Sequence, residues 1–226
     1  QHMRLYNATM RINRLEYLKA QIGMEAVKAG VDVGTDMAGK LTQGYLDEVK
    51  RQAGLLGQYL PPTEFTDYKR AFEIVMTGGN HGGFSGILWK NTDAMKSQLD
   101  MALTNALVQG LNPQMIARDL RQNLQSTVGN TKYAAERLAR TEMARVQSRA
   151  QDDCYHDLGV KKVKWIAEPS ACKICVNIAS HNEGVYKIDD VPTLPAHANC
   201  RCSKAPKADR NEMEKLIAKA NAERRY

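Results

Sequence analysis

The sequence of 226 residues lacks any long apolar run. No stretch approaches the roughly 20 consecutive apolar residues that a membrane-spanning helix needs, and the first residues lack the apolar segment of a secretory signal peptide. We therefore expect no contact with a membrane and a chain that buries one core or two small ones. Helical periodicity already begins at Leu5, so residues 1–3 are interpreted as a tag scar joined to a fragment of a longer chain.

The sequence also lacks the dispersed, even-numbered cysteines of a secreted disulfide framework. Four of its five cysteines lie in two short segments, SACKICVN at 170–177 and PAHANCRC at 195–202. Such clustering favours an intracellular site. A structural metal is the favoured interpretation, with a disulfide between the clusters or reduced thiols in an ordinary core as alternatives. A thioredoxin-like redox site is disfavoured, because no βαβ pattern surrounds the C-x2-C pair.

The spacing of the clustered residues suits a tetrahedral metal. Cys172 and Cys175 are separated by two residues, so one tight turn can present both thiolates to the same ion. Cys200 and Cys202 project to one side of an extended chain, and His197 precedes Cys200 by another two-residue gap. A module with only two short strands needs such a staple to stay folded. We predict structural zinc bound by Cys172, Cys175 and Cys200, with His197 and Cys202 competing for the fourth position.

Apolar periodicity predicts helices over most of the chain. Residues 5–60 are expected to form two amphipathic helices, which end at Pro61 and Pro62. A helix that begins at Asn91 or Thr92 should stop and restart at GLNPQM, where Pro113 suits the first helical position. These paired helices, at 92–124, resemble a helix-turn-helix DNA reader, but the sequence shows no dedicated recognition face. A structural helix pair is therefore favoured.

A long helix is predicted from Lys132 to about Leu158, followed by a small β module. The buried row of this helix should consist of Ala139, Met143, Val146, Ala150 and Cys154, which makes Cys154 a core thiol rather than a metal ligand. The segments VKKVKWIAEP and GVYKIDDVP favour two short strands. The expected fold class is α+β, mainly α-helical with a small C-terminal β module stapled by a Cys/His metal site. The expected domains are an N-terminal helical region at 1–60, a helical core at 61–158, the Cys/His β module at 159–205 and a charged helix or tail at 206–226.

Charged residues on the long helix raise the question of catalysis. Arg140, Glu142 and Arg145 lie close together in sequence, but the sequence fixes no nucleophile or poised base near them. We interpret them as a structural polar cluster and expect no enzyme. Arg140 and Glu142 are expected to tie the helix to the cysteine module through charge-assisted hydrogen bonds.

The chain is basic, with a formal net charge of +7. The C-terminal half carries most of the excess, which fits loose contact with phosphates; a solvated surface with counter-charges nearby is the alternative. The candidate contacts with double-stranded DNA, without sequence preference, are Arg149, Lys161, Lys162, Lys164, Arg201 and Lys204.

Three motifs together resemble a known family. They are FSGILWKNTDAMKSQLDMALTNALVQGLNPQMIARDL, then ERLARTEMARVQSRAQDDCYHDLGVKKVKWIAEPSACKICVNIASHNEGVYKI, then PAHANCRC. Their order and spacing are similar to those of the phage head morphogenesis, or Mu F-like, minor head proteins. Ala198 replaces the usual proline, and AEPSAC lacks an aspartate that is usual before the first cysteine.

The resemblance implies a virion component that takes part in head morphogenesis. It implies linkage to the portal or the capsid interior, with portal, capsid or scaffold proteins and DNA as partners, and residence in the host cytoplasm during assembly. A metal-dependent nuclease or other phage effector is the alternative, because His197 and Asn199 beside paired cysteines suggest an HNH-type finger. No histidine follows Cys202, however, so the second catalytic histidine of such a finger has no downstream candidate.

Overall fold

The structure is a computed structural model that describes residues 2–57, 64–77, 83–108 and 113–223. The described residues form six α-helices and three β-strands. The helices are α1 (His2–Leu56), α2 (Glu64–Thr77), α3 (Gly83–Val108), α4 (Pro113–Leu158), α5 (Lys173–Ser180) and α6 (Arg210–Glu223), and the strands are β1 (Lys162–Ile166), β2 (Val185–Lys187) and β3 (Ser203–Pro206). This confirms the predicted α+β class, mainly helical with a small C-terminal sheet. None of the described helices has the length and apolar character needed to cross a bilayer.

The long helices differ from the predicted ones. α1 is a single helix where two were expected. Its Gly44 packs closely on α4, because a Cβ there would lie within 3.0 Å of the Met143 side chain. α3 begins before the expected start at Asn91 or Thr92, and α4 continues from Pro113 through the expected start at Lys132. The predicted helix breaks at Pro61 and Pro62 and at residues 110–112 lie outside the described residues.

The chain divides into two compact units, Gln1–Asp36 with Phe84–Ala135, and Met37–Gly83 with Glu136–Tyr226. We call them unit 1 and unit 2. The four predicted domains remain a prediction. In unit 1, α1 packs on α3, where Lys19 lies 3.0 Å from a carboxylate oxygen of Asp100 and donates a 3.0 Å hydrogen bond to the Thr104 hydroxyl. Phe84 and Leu103 are buried in this unit.

The helical core of unit 2 is formed by parts of α1, α2 and α4. Its buried residues include Leu41, Tyr45, Ala53, Ala71, Val75, Val146, Ala150 and Cys154. Cys154 is therefore a core thiol, as predicted. Ala139 is exposed, because the buried face of α4 in unit 2 begins only at Glu142.

The sheet of unit 2 is antiparallel, with β1 between β2 and β3. Val163 and Trp165 of β1 point inward, and the alternate residues are exposed. Val163 joins a core completed by α4 and α6, whereas Trp165 joins a second core that contains Cys175, Cys200 and Cys202. The third strand, β3, was missed by the sequence interpretation because SKAP lacks β-branched residues and contains a proline, which only an edge strand tolerates readily.

Candidate metal centre

The first two candidate ligands lie at the start of α5. Cys172 is the N-cap residue, with extended backbone at φ −70° and ψ 167°, and Cys175 lies in the first helical turn. The Cys172 side chain makes no capping hydrogen bond, but the nearby backbone N–H groups of Cys175 and Ile174 lower the pKa of Cys172. The helix start therefore favours a thiolate at Cys172, as a metal ligand requires.

The loop before β3 supplies the remaining candidates. The N–H of Cys200 donates a 3.1 Å hydrogen bond to the carbonyl of His197, which closes a tight turn. Asn199, within this turn, has left-handed backbone at φ 61°, a conformation that asparagine tolerates better than most residues. Cys202 follows and is buried, as is Cys200.

The two segments bring all five predicted ligands into one cluster. His197 Nε2 lies 3.2 Å from the sulfurs of both Cys172 and Cys175, and the sulfurs of Cys175 and Cys200 are 3.7 Å apart. The ligand atoms form two overlapping groups, Cys172 with Cys175 and His197, and Cys175 with Cys200 and Cys202; within each group they lie within 4.8 Å of one another. Cys175 belongs to both groups and is the centre of the cluster.

The distances between the sulfurs do not correspond to a disulfide. A disulfide requires about 2.05 Å between the sulfurs, whereas Cys175 and Cys200 are separated by 3.7 Å, and all five cysteines are free thiols. For a metal–sulfur bond of about 2.3 Å, tetrahedral geometry places two sulfurs roughly 3.8 Å apart. The Cys175–Cys200 separation therefore fits one edge of a zinc-sized tetrahedron.

The imidazole of His197 is oriented by a backbone contact. Its Nδ1 donates a 2.9 Å hydrogen bond to the carbonyl of Ala198, which raises the pKa of His197. With Nδ1 occupied as a donor, Nε2 faces the sulfurs of Cys172 and Cys175. Metal-binding histidines typically use the second ring nitrogen in this way to fix their tautomer and orientation.

The buried sulfurs have opposing electrostatic surroundings. Burial raises the pKa of Cys175, and neighbouring thiols raise it further. Burial alone would also raise the pKa of Cys200, but the N–H groups of Cys202 and Ala196 outweigh burial, so that this pKa is lowered. A central cation stabilises several adjacent thiolates that would otherwise repel one another. The combination of thiolates and one imidazole matches the ligands that zinc prefers.

Two contacts attach this cluster to α4. The N–H of Asn199 donates a 3.1 Å hydrogen bond to Thr141 Oγ1. Lys204 Nζ lies 2.5 and 2.7 Å from the two carboxylate oxygens of Asp152, and only 1% of the Lys204 side chain is exposed. The sequence interpretation missed Thr141 as a link, although this residue lies between Arg140 and Glu142, the two residues that were expected to form the link.

The expected link through Arg140 and Glu142 is not the one observed. Arg140 is exposed and pairs with Glu136 of the same helix at 3.4 Å. Glu142 is buried and pairs with Arg145 at 2.9 Å. The Arg145 guanidinium also donates to the carbonyls of Ile74 and Val75, at 3.2 and 3.4 Å. The Glu142–Arg145 pair thus connects α4 to the end of α2, because these carbonyls lie in the last turns of α2.

The candidate DNA contacts divide by exposure. Lys161, Lys162, Lys164 and Arg201 are exposed. Arg149 is also exposed but lies 3.3 Å from Asp153. Lys204 does not belong with them, because its position opposite Trp165 turns it into the core, where Asp152 holds it.

One basic residue beside this set was missed. Lys187 of β2 lies directly opposite Lys162 of β1 and is exposed. The register of the two strands brings these lysines together. The alternation of residues within β1 predicts which side chains are exposed, but not which residue of β2 lies opposite each of them.

Comparison with known proteins identifies one family. The family model described as Phage Mu protein F like protein matches residues 97–205. This segment includes all of α4, β1 and β2, most of β3 and the five clustered ligands. Neither the curated proteins nor the solved structures contain a match to the chain. The resemblance noted in the sequence is thereby confirmed, and the family indicates a protein of phage head morphogenesis.

Proposed function

We propose that this chain, whose residues 97–205 belong to the Phage Mu protein F like family, is a minor head protein of a tailed phage. It acts in head morphogenesis, is linked to the portal or the capsid interior, and resides in the virion after assembly in the host cytoplasm. The observation that carries the proposal is the family match over the helix, sheet and ligand cluster that together form most of the C-terminal structure. Its role is architectural rather than enzymatic.

Isolation of assembling particles tests the head assignment. A phage that carries an affinity tag on this chain should yield particles, or portal-containing intermediates, in which portal or capsid proteins co-purify at constant ratio. The same tag on an unrelated phage protein that stays outside the particle is the control. Absence of the chain from both intermediates and finished heads would refute the assignment.

Within this role, one zinc ion staples the two loops of the cluster. Cys172, Cys175 and Cys200 are three ligands, and His197 is the fourth because its Nε2 lies 3.2 Å from two of the sulfurs. Cys202 then supports the site: its backbone N–H donates to the sulfur of Cys200, as outer-shell donors commonly do around metal ligands. Held by these residues, a zinc ion would connect the start of α5 to the loop before β3.

The exposed face of the sheet is the DNA-contacting surface. Lys162 and Lys187 are directly opposite each other, and like charges in this position destabilise a sheet. Within the described part of the chain, neither these two lysines nor Lys161 or Lys164 has an ion-pair partner within 4 Å. A row of phosphates would neutralise them without reading base edges.

A titration of unrelated duplexes tests the DNA contact. If about four phosphates are neutralised, affinity should fall about 100-fold as salt rises from roughly 50 to 200 mM, and all sequences should bind alike. Replacement of Lys162 and Lys187 by glutamine should weaken binding and flatten the salt dependence, whereas Lys19→Gln, in unit 1, should do neither. Binding that is sequence-selective or indifferent to salt would contradict this surface.

The same protein separates an architectural role from nuclease activity. Incubation with supercoiled plasmid and magnesium or manganese should leave the plasmid intact. Cleavage that co-elutes with the protein and stops when the added magnesium or manganese is chelated would instead establish a metal-dependent nuclease and overturn the architectural assignment.

A further inference from the structure

The part of α1 in unit 1 has apolar residues on two separate faces. One face packs on α3: a Cβ on Gly30 would lie 3.3 Å from the Trp89 ring, and a Cβ on Gly34 would lie 3.4 Å from the Leu88 side chain. The second face contains large apolar side chains that are exposed. Soluble proteins rarely expose large apolar side chains side by side, and such a surface generally marks an interaction site.

The exposed apolar residues repeat every seven positions. Met10, Tyr17, Met24 and Val31 are spaced by seven residues and are 36, 67, 65 and 49% exposed. Two further exposed residues complete the pattern: Tyr6 lies four positions before Met10, and Val27 lies three positions after Met24, at 60 and 45% exposure. Spacings of seven and three are those of the a and d positions of a coiled coil, so the partner for this face is another α-helix.

The repeat is long enough to form a stable helix pair. From Tyr6 to Val31 the helix rises roughly 38 Å, at about 1.5 Å per residue. A repeat of seven residues over two helical turns corresponds to about 3.5 residues per turn, slightly fewer than the roughly 3.6 of a straight α-helix. A helix that keeps this repeat favours supercoiling around a partner.

We propose that the a/d row of α1, residues 6–31, pairs with the same row of a second copy of this chain in a parallel two-stranded coiled coil. Asn13 occupies a d position and is exposed in the single chain. In a parallel, in-register pair, Asn13 faces its equivalent, and the two amides hydrogen-bond to each other. An antiparallel or shifted pair buries the Asn13 amide against apolar residues, which is costly. A single polar residue in the seam commonly fixes register in this way.

The charges beside the row also permit self-pairing. With Met10 at position a and Asn13 at position d, Arg14 and Gln21 occupy e positions, and Thr9 and Glu16 occupy g positions. In a parallel pair each g position faces the e position five residues later in the partner. Glu16 therefore faces Gln21, and Thr9 faces Arg14. No like charges oppose each other at these two pairs, so a second copy satisfies the flanks without repulsion.

The mass of the intact chain in solution tests the proposal. Light scattering and sedimentation equilibrium over roughly 1–200 µM should show a reversible dimer of the 25.2 kDa chain. The double substitution Met10→Glu and Met24→Glu places like charges across the seam and should reduce the mass to that of a monomer. Leu18→Glu is the matched control, because Leu18 is 43% exposed on the same helix but lies outside the a/d row; it should leave the dimer intact.

Orientation is tested by a photocrosslinking residue at position 27. Crosslinks to the region around residue 27 of the second copy support the parallel pair, and crosslinks to the region around residue 10 overturn it. Circular dichroism establishes that each variant keeps its helix content. A wild-type chain that stays monomeric at every concentration overturns self-pairing. This conclusion holds even if the Met10→Glu, Met24→Glu variant loses binding to a different head protein, since the row would then serve that protein instead. Equal disruption by Leu18→Glu, or a dimer that survives the double substitution, also overturns it.

Discussion

The hydroxyl oxygen of Thr141 on α4 accepts a 3.1 Å hydrogen bond from the backbone N–H of Asn199. The same hydroxyl donates a 2.7 Å hydrogen bond to the carbonyl of Arg137, so its lone pairs are held toward the loop. Asn199 lies between the candidate ligands His197 and Cys200 in the sequence. This one contact therefore joins the long helix to the turn that brings the ligands together.

Replacement of Thr141 by valine tests this connection. Valine keeps the shape of the side chain but removes the acceptor, so the Asn199 N–H loses this hydrogen bond. We expect the free energy of unfolding to fall by about 1–2 kcal/mol, as measured by urea denaturation. Thr35→Val is the matched control, because Thr35 makes a similar 2.9 Å bond to the carbonyl four residues earlier but is exposed. An equal loss in both variants would mean that the loop contact adds nothing.

Removing only one partner of the Asp152–Lys204 pair should destabilise the protein more than removing both partners together. Asp152→Asn leaves the Lys204 ammonium, 1% exposed, without its carboxylate, and we expect a loss of roughly 3–5 kcal/mol. The double variant Asp152→Asn with Lys204→Met should recover much of this loss. In contrast, Glu214→Gln removes an exposed pair with Arg210 and should cost less than about 1 kcal/mol. If the losses of unfolding free energy in Asp152→Asn and in Lys204→Met simply added up in the double variant, the pairing would be contradicted.

Stability should depend on acid through Glu48. Burial alone would raise the pKa of Glu48, but hydrogen bonds from Arg51, Gln52 and Gln151 outweigh burial and lower the pKa below its ordinary value of 4.5. A lowered folded-state pKa stabilises the fold at pH values above 4.5, and this stabilisation is lost as the pH falls through the folded-state pKa.

Comparison of the wild type with Glu48→Gln at several pH values measures this contribution. The variant should be less stable at neutral pH, because the charge-assisted hydrogen bonds are weakened. The difference in unfolding free energy should shrink as the pH falls below 4.5. A difference that stays constant or grows on acidification would show that Glu48 is not responsible.

Gly184 is expected to be intolerant of a side chain. It has left-handed backbone at φ 75°, and a Cβ there would lie 2.7 Å from the carbonyl oxygen of Trp165 and 3.0 Å from that of Ala179. Gly184→Ala should therefore destabilise the β module by more than about 1 kcal/mol. At Gly86, within α3, a Cβ meets nothing within 4 Å, so Gly86→Ala should leave stability unchanged or raise it. Comparable thermal unfolding of wild type and Gly184→Ala would contradict this steric account.

The sequence revealed the parts of this site that depend on local spacing. The two-residue gap between Cys172 and Cys175 predicts ligands on one turn, and the structure places both at the start of α5. The contact between Thr141 and Asn199, in contrast, spans 58 positions in the sequence. Side-chain charge suggested Arg140 and Glu142 instead, because a threonine hydroxyl gives no such signal in a sequence.

Tertiary packing decided the features that local patterns could not. Alternation placed Val163 and Trp165 inside, but the burial of Lys204 depends on β3 pairing with β1 and on Asp152 from α4. Likewise, the glycines of α1 weaken a helix in isolation, yet Gly44 lies where a larger residue would collide with Met143. Such effects require the position of a second element, which periodicity alone does not provide.

The zinc content of the protein tests the central claim most directly, namely that the Cys/His cluster is a metal staple. Elemental analysis of protein purified without added metal should find about one zinc per chain. Cys175→Ser and His197→Ala should lose the metal and unfold the β module while the helices persist, whereas Cys202→Ser should retain it. Two results would contradict the account: thermal stability that does not change when the metal is removed by a chelator, or retention of zinc by Cys175→Ser.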